Sequence, residues 1–193
     1  MSFGARDEKS LPGTISRRRF VRTALMAAAP MLIPGVAMAA VRLPGTKPRS
    51  LSFYNLHTGE NLKSTYFEDG NYVRGALNEI NYLLRDFRTG EIKAIDPRLL
   101  DLLVAINGKL ETSKPFDVIS GYRSPQTNAM LHARSEGVAV HSLHIQGKAI
   151  DIRVPGRALL ALRRTAMSLR GGGVGYYPHS DFVHVDTGRV RYW

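Results

Sequence analysis

The sequence contains no cysteine, and this absence removes several kinds of chemistry at once. Without thiols the chain has no thiolate metal ligand, no cysteine nucleophile and no disulfide to stabilise it in an oxidising compartment. Internal repeats are lacking, and so are low-complexity segments after the N-terminal region. Stability must therefore come from a hydrophobic core, and any metal site must be built from histidine and carboxylate ligands.

Acidic residues are scarce relative to basic ones: the chain has 16 Asp and Glu and 27 Lys and Arg, which gives a net charge of +11. Without residues 1–39 the chain keeps 21 basic and 14 acidic residues, a net charge of +7. A basic surface favours a polyanionic partner, such as peptidoglycan carboxylates, anionic lipid headgroups or teichoic-type polymers. Nucleic acid is disfavoured, because the chain carries an export signal and no helix or aromatic array suited to nucleic acid.

The chain also lacks an apolar run long enough for a stable membrane anchor. The run at residues 23–40 is interrupted by two prolines and falls short of the ~20 apolar residues that a span requires. Residues 16–22 fit the twin-arginine pattern, and Ala37–Ala39 is a small-x-small cleavage site. We therefore predict that residues 1–39 are a twin-arginine signal peptide, cleaved near Ala40, that directs the protein to the periplasm. An uncleaved N-terminal anchor is the alternative.

The remainder is long enough for one ordinary domain. We expect a linker at residues 40–50, where proline and glycine recur, and a domain at residues 51–193. Apolar spacing predicts helices at 71–88, 97–110, 124–136 and 159–169, and alternation predicts strands at 51–56, 62–67, 116–120, 149–154 and 182–186. Residues 190–193 are expected to form a final short strand or cap. These elements predict an α+β fold in which a small, mainly antiparallel sheet carries the candidate metal ligands and helices pack on one side. Local pattern does not fix the strand order.

A histidine and a carboxylate lie seven residues apart at His144 and Asp151. Asp151 belongs to an alternating segment, which predicts a strand with one buried face, and Gly147 lets the preceding loop bring His144 alongside. A second alternating segment carries His184. Two imidazoles and a carboxylate suit Zn²⁺, and three protein ligands leave a fourth position for water, as in catalytic zinc sites. On spacing alone, a hydrogen-bonded core histidine is the more common outcome.

Three further motifs accompany the Ser142–Asp151 segment: Ser120–Pro125 (SGYRSP), residues 173–178 (GVGYYP) and Phe182–Asp186 (FVHVD). Together they resemble the D-Ala-D-Ala metallopeptidase branch of the lysostaphin/D-Ala-D-Ala-metallopeptidase/hedgehog superfamily. Within that branch the chain looks most like the murein endopeptidases of the YcbK type. The similarity extends from about residue 51 to residue 193.

The resemblance implies a hedgehog/DD-peptidase-like fold and one zinc ion per chain, held by His144, Asp151 and His184. It implies a zinc metallopeptidase, expected to be a monomer, that hydrolyses peptidoglycan stem-peptide cross-links as a DD- or LD-endopeptidase during wall growth. Two alternatives stay open. One is a D,D-carboxypeptidase or dipeptidase that trims free stem ends, and the other is a non-catalytic, zinc-containing module that binds the cell wall.

Arg123 is the first candidate catalytic residue, since its guanidinium could hold a substrate carboxylate or a developing oxyanion. A salt bridge joining strand to helix is the structural alternative, and the resemblance places Arg123 beside the scissile bond. Two carboxylates are candidates for the general base. Many relatives have a histidine where this chain has Phe182, and the dipeptidase branch has a glutamate where it has Asp181. We predict Asp181 as the base, with Asp186 as its rival or as the partner that orients His184.

Overall fold

The computed structural model describes residues 47–193, with the exception of Glu136. The predicted signal peptide at residues 1–39 and the linker residues 40–46 lie outside the described residues. Within the described part of the chain, no helix combines the length and the apolar character needed to cross a bilayer.

The described residues form one mixed sheet and four α-helices. The strands are β1 (Arg49–Asn55), β2 (Asn61–Glu68), β3 (Asn71–Tyr72), β4 (Phe116–Ser120), β5 (Ala149–Arg153), β6 (Gly173–Tyr177), β7 (Phe182–Asp186) and β8 (Arg191–Tyr192), and the helices are α1 (Arg74–Leu83), α2 (Pro97–Lys109), α3 (Pro125–Arg134) and α4 (Leu159–Leu169). The strand order is β3-β2-β1-β4-β5-β7-β6-β8. Only the β1–β4 and β6–β8 pairs are parallel among the described strands. The predicted α+β fold with a mainly antiparallel sheet is confirmed, although the sheet is larger than expected.

The hydrophobic core lies on one face of the sheet, where α1, α2 and α4 cover it. Alternate residues of the central strands point into it, among them Phe53, Phe116, Ile150, Ile152, Val183 and Val185, all essentially inaccessible to solvent. Successive strand residues point to opposite faces. The residues between these apolar positions therefore project from the other face, which is where the candidate site lies.

Two boundaries beside the first hairpin differ from the sequence prediction. β1 begins at Arg49, inside the predicted linker, because this guanidinium pairs with Asp101 and lies 3.7 Å from the centre of the Phe67 ring. Helix α1 begins at Arg74 because residues 71 and 72 pair with β2 instead. The apolar pattern therefore located these elements correctly but not their ends.

Helix α1 ends at Leu83, although its apolar periodicity continues to Phe87. Phe87 lies outside the helix and stacks on His57, with ring centres 3.9 Å apart. The His57 Nε2 lies 3.0 Å from the Ile119 carbonyl oxygen, to which it donates. An apolar residue can thus extend a helical pattern while it packs elsewhere.

The connections that deliver the site residues follow the sequence signals closely. Ser124 caps α3, because its hydroxyl accepts the Thr127 N–H at 3.1 Å, and Pro125 occupies the first turn, as predicted. Gly147 ends a short 3-10 turn with φ +65°, and a Cβ at this position would overlap the Ala94 carbonyl oxygen. Glycine is therefore required there, both for its backbone conformation and for the close approach.

Candidate metal centre

Asp151 and His184 face each other across the neighbouring strands β5 and β7. They project from the face opposite the core, since the intervening positions on these strands are filled by Ile150, Ile152, Val183 and Val185. Side chains directly opposed in an antiparallel pair have Cβ atoms about 4.5–5.5 Å apart. The sheet thus holds the carboxylate and the imidazole at ligand spacing on two rigid elements.

His144 reaches the same point from the 3-10 turn at Leu143–Gln146, which Ser142 caps. Its ring is 1% exposed, and Nδ1 lies 2.6 Å from the Gly121 carbonyl oxygen. A carbonyl can only accept, so Nδ1 carries the hydrogen and Nε2 keeps a lone pair. That lone pair faces both Asp151 Oδ1 and His184 Nδ1, each at 3.2 Å.

His184 is oriented in the same way by a different acceptor. Its Nε2 lies 3.0 Å from Oδ2 of Asp186, so Nε2–H donates to that carboxylate. The opposite nitrogen, Nδ1, lies 2.9 Å from Asp151 Oδ1. Both histidines therefore turn a ligating nitrogen toward the same carboxylate and bind an acceptor with the other.

Each of the three predicted ligands, His144, Asp151 and His184, offers one atom, and these atoms all lie within 4.8 Å of one another. Two imidazole lone pairs and a carboxylate oxygen converge, which is unfavourable unless a proton or a cation lies between them. Neutral imidazoles with a carboxylate are a donor set that suits zinc. The residues present therefore fit a bound metal ion.

The electrostatics of the cluster are dominated by burial and by close opposite charges. Burial lowers the pKa of His144, and the Arg123 guanidinium adds to this effect. Burial opposes ionisation of Asp151, but His144, His184 and Arg123 outweigh it and hold the pKa of Asp151 well below its ordinary value. For His184, burial is outweighed by Asp151 and Asp186, which raise its pKa. The negative field of these two carboxylates equally favours a bound cation.

Arg123 lies at the edge of the cluster, in a salt bridge with Asp151. Its Nη2 donates to Asp151 Oδ2, and its Nε donates to the Ser120 hydroxyl at 2.8 Å. The backbone N–H of Arg123 also donates to the His144 carbonyl oxygen at 3.3 Å. Among the described residues, Nη1 has no hydrogen-bond partner, and Arg123 lines the cleft that lies over the cluster.

Asp186 is fully buried, and both of its carboxylate oxygens accept hydrogen bonds. Oδ1 accepts from the backbone N–H groups of Gly173 and Gly188, and Arg191 binds both oxygens. Burial opposes ionisation of Asp186, but the His184 and Arg191 hydrogen bonds outweigh it and keep its pKa far below the ordinary value. These contacts favour orientation of His184, the second of its two predicted roles, over proton abstraction.

Asp181 is not brought into the cluster. Its carboxylate is 61% exposed and accepts from Arg153 Nη1 at 2.7 Å, while Arg153 Nε donates to Asp117 at 3.1 Å. The flanking residues Ser180 and Phe182 line the cleft above the cluster, but Asp181 does not. A role for Asp181 as base therefore requires the ion pair with Arg153 to open.

A cleft of about 260 Å³ lies over the cluster. One wall is formed by residues 137–143, which follow α3. Asn128 fixes this wall, since its buried amide nitrogen donates to the carbonyl oxygens of Ala139 and Val140 at 3.1 and 3.2 Å. His132 Nδ1 adds a hydrogen bond to the Val138 carbonyl oxygen at 2.6 Å.

Another part of the cleft lining is aromatic and contains residues that were not among the predicted site residues. Tyr177 and Phe182 stack with ring centres 4.5 Å apart, and Trp193 lies 5.3 Å from the His184 ring. Trp193 Nε1 donates to the Tyr177 hydroxyl at 2.8 Å. Arg191 also lines the cleft. The aromatic pair in the residue 173–178 motif was a usable signal for Tyr177, whereas nothing in the local sequence marks Arg191 or Trp193.

A buried His–Asp–His cluster at the floor of a cleft, with an arginine on its carboxylate, is typical of metal-dependent hydrolases. The comparison with family models makes this more specific. Residues 43–193 match the model described as peptidoglycan L,D-endopeptidase MepK, and the chain belongs to this family. The resemblance stated from the motifs is confirmed.

Individual relatives agree with the family match. The chain is 45% identical over 178 residues to peptidoglycan L,D-endopeptidase MepK of Escherichia coli strain K12, covering 92% of this chain and 97% of the relative. It is 41% identical over 179 residues to the probable peptidoglycan L,D-endopeptidase MepK of Haemophilus influenzae, covering 92% and 95%. The similarity therefore spans nearly the full length of both relatives.

Proposed function

We propose that this chain is a zinc-dependent peptidoglycan L,D-endopeptidase, which hydrolyses amide bonds in stem-peptide cross-links. The observation that carries the proposal is the converging set of ligand atoms of His144, Asp151 and His184 in a member of the MepK family. The site residues alone do not distinguish cleavage of DD-cross-links from cleavage of LD-cross-links. The names of the relatives favour the LD-bond.

The roles of the residues follow from their contacts. His144, Asp151 and His184 would hold the zinc, which when bound would supply Lewis-acid activation of the scissile carbonyl and of a water molecule. Arg123 would bind the carbonyl oxygen through Nη1 as negative charge develops there. Asp181 would accept the proton of the attacking water after release from Arg153.

A non-catalytic module that binds the cell wall is the second candidate. The observation that favours it is the engagement of Asp181 by Arg153, because among the described residues that line the cleft the only carboxylate is then the predicted ligand Asp151. A carboxypeptidase that trims free stem ends is the remaining alternative within the hydrolases. Products distinguish these three functions directly.

We further propose that the protein acts in the periplasm as a monomer. The twin-arginine pattern at residues 16–22 and the cleavage site at Ala37–Ala39 support export followed by removal of residues 1–39. Intact-mass measurement of the exported protein tests the cleavage, and residues 1–39 still attached would contradict it.

The experiment for the proposed function uses purified protein loaded with one equivalent of Zn²⁺. Dimeric muropeptides with LD- or DD-cross-links are incubated with it, and products are identified by mass spectrometry with and without a chelator. Chelator-sensitive conversion of LD-dimers to monomers is expected. Loss of a single terminal residue from monomers indicates a carboxypeptidase, and zinc-loaded protein that binds sacculi without releasing products indicates the module.

The role of Asp181 has a matched control in the same ion-pair network. Asp181→Asn and Asp117→Asn each remove one carboxylate partner of Arg153. If Asp181 is the base, turnover should fall at least ~100-fold in Asp181→Asn and stay near wild type in Asp117→Asn. Equal turnover by both variants, each with zinc bound, would eliminate the base assignment.

A further inference from the structure

Arg191 is joined to the metal cluster through one buried carboxylate. Its Nη1 and Nη2 donate to Oδ1 and Oδ2 of Asp186 at 3.1 and 2.7 Å. Asp186 in turn accepts from His184 Nε2 at 3.0 Å. A continuous hydrogen-bonded path therefore runs from β8, at the edge of the sheet, to a predicted zinc ligand near its centre.

The hydrogen bonds along this path determine which nitrogen of His184 carries the hydrogen. A two-point guanidinium–carboxylate contact fixes the carboxylate plane, which a single donor cannot do. Because Asp186 can only accept, His184 must place its N–H on Nε2, and its lone pair stays on Nδ1 toward Asp151. The orientation of Asp186 thus determines which nitrogen of His184 is free to ligate.

The absence of a side chain at Gly173 leaves room for the ion pair between Arg191 and Asp186. β8 runs parallel to β6 with Arg191 opposite Gly173, and a Cβ at Gly173 would lie 2.5 Å from both Arg191 Nη1 and Asp186 Oδ2. Such a separation is too short for any real side chain. Glycine at this position therefore permits the contact between Arg191 and Asp186.

Trp193 bounds the same imidazole from the cleft side. Its ring centre lies 5.3 Å from that of His184, and the Arg191 guanidinium carbon lies 4.9 Å from the Trp193 ring. The Tyr177 hydroxyl accepts the Trp193 Nε1–H, which fixes the indole. Residues 191–193 thus restrain His184 both through its hydrogen bond and through its ring face.

We propose that Arg191 is a positioning residue of the metal centre. Acting through Asp186, it holds His184 with Nδ1 turned to the metal, while Trp193 limits rotation of the ring. This inference rests on the proposed function, since it concerns the zinc that the proposed hydrolysis requires. The guanidinium of Arg191 donates to Asp186 and to the Arg189 carbonyl oxygen, and it reaches His184 only through Asp186.

The test measures zinc affinity of the full chain by competition with a chromophoric chelator. Arg191→Gln removes the charge and the two-point contact, Arg191→Lys keeps the charge alone, and Arg189→Gln is the exposed control two residues earlier. Disrupting the partner of a metal-ligating histidine typically weakens metal binding ~10–100-fold. We expect a loss of this size for Arg191→Gln, a smaller loss for Arg191→Lys and none for Arg189→Gln.

Two further measurements separate positioning from simple destabilisation. In a double-mutant cycle, Arg191→Gln should add little to the affinity lost in Asp186→Asn, because both act on His184 by one path. In zinc-loaded protein labelled with ¹⁵N-histidine, the Nε2–H signal of His184 should be present in the wild type and weakened in Arg191→Gln. Melting temperatures identify any variant that does not fold, in which case Arg191→Lys carries the comparison.

The outcomes distinguish this inference from the proposed function. Wild-type zinc affinity in folded Arg191→Gln, or fully additive losses in the double variant, would overturn the positioning role alone. Wild-type protein that binds no zinc would overturn both. Wild-type protein that binds zinc but cleaves no cross-link would overturn the proposed function and leave the role of Arg191 to be decided by the affinities.

Discussion

The Asp86 carboxylate joins the chain after α1 to the start of α3, next to Arg123. It is 1% exposed, and its oxygens accept the backbone N–H groups of Ser124 and Arg88 at 2.8 and 2.9 Å. Burial alone would raise the pKa of Asp86. Hydrogen bonds from the Thr127 hydroxyl, from Ser124 and from Arg88 outweigh burial and lower the pKa from 3.8 to about 2.

Asp86→Asn keeps the shape of the side chain and replaces one acceptor oxygen by a donor. One of the two backbone N–H groups then loses its acceptor, which costs about 1–3 kcal/mol at a buried site. The lowered pKa of Asp86 expresses the effect of these same hydrogen bonds, and at about 1.4 kcal/mol per tenfold change in proton affinity it corresponds to about 2 kcal/mol. We therefore expect a loss of about 2 kcal/mol at pH 7.

The loss should depend on pH with a definite sign. A carboxyl group whose pKa is lowered by folding stabilises the protein above the unfolded pKa, and the contribution disappears as pH falls through the folded pKa. For Asp86 the window runs from about pH 4 down to about pH 2, with roughly half of the contribution left near pH 3. Asparagine does not titrate, so the difference between wild type and variant should shrink over this window.

Urea unfolding at pH 7, 5 and 3 measures the difference in free energy, and thermal melting should show a decrease of about 4–8 °C at pH 7 for a domain of this size. Asp69→Asn is the matched control, because Asp69 is an exposed turn residue with φ +50° that asparagine tolerates. A loss in Asp86→Asn no larger than in Asp69→Asn, or a loss that does not change between pH 7 and pH 3, would refute the reasoning.

Three further predictions concern the cleft and its supports. If Arg123 binds the scissile carbonyl as proposed, Arg123→Lys should lower kcat about 10²–10³-fold because it loses the planar fork, whereas the exposed Arg134→Lys should leave steady-state kinetics on a cross-linked muropeptide unchanged. Asn128→Ala should raise KM about tenfold by releasing the cleft wall at residues 137–143, and a fall in kcat with unchanged KM would contradict this. Gly172→Ala should cost about 3 kcal/mol in urea unfolding, because the new methyl group overlaps the Asp186 carbonyl oxygen, and wild-type stability would count against it.

The grouping of His144, Asp151 and His184 can be predicted because each residue lies in an element with a clear local signal. Alternation assigns Asp151 and His184 to single strand faces, and the two strands need only be neighbours for these side chains to meet. The glycine at 147 marks the turn that returns His144 to the same place. The convergence of the three ligands therefore follows from the alternation of strand residues and from the turn at Gly147. The family resemblance supplies the order of the strands.

The position of Asp181 could not be predicted in this way. Its ion pair joins residues 28 positions apart, and Arg153 shares its guanidinium with Asp117 on a third strand. From the sequence, each of these charged residues could equally be an unpaired residue on the solvent-exposed surface. Only the pairing of β4, β5 and β7 brings them together at one end of the sheet.

The sequence predicts a final short strand or cap at residues 190–193, but no local signal predicts that β8 supports the metal centre. Two residues are too few for a periodic pattern, and β8 is defined only by its pairing with β6. Two glycines shortly after α4 explain the space around His184, because Gly172 and Gly173 admit the Asp186 backbone and the Arg191 ion pair where side chains would collide. The geometry of His184 thus depends on backbone space as well as on ligand identity. A chain with the same three ligands but a bulky residue at position 173 should lose the Arg191 contact, and with it the orientation of the imidazole.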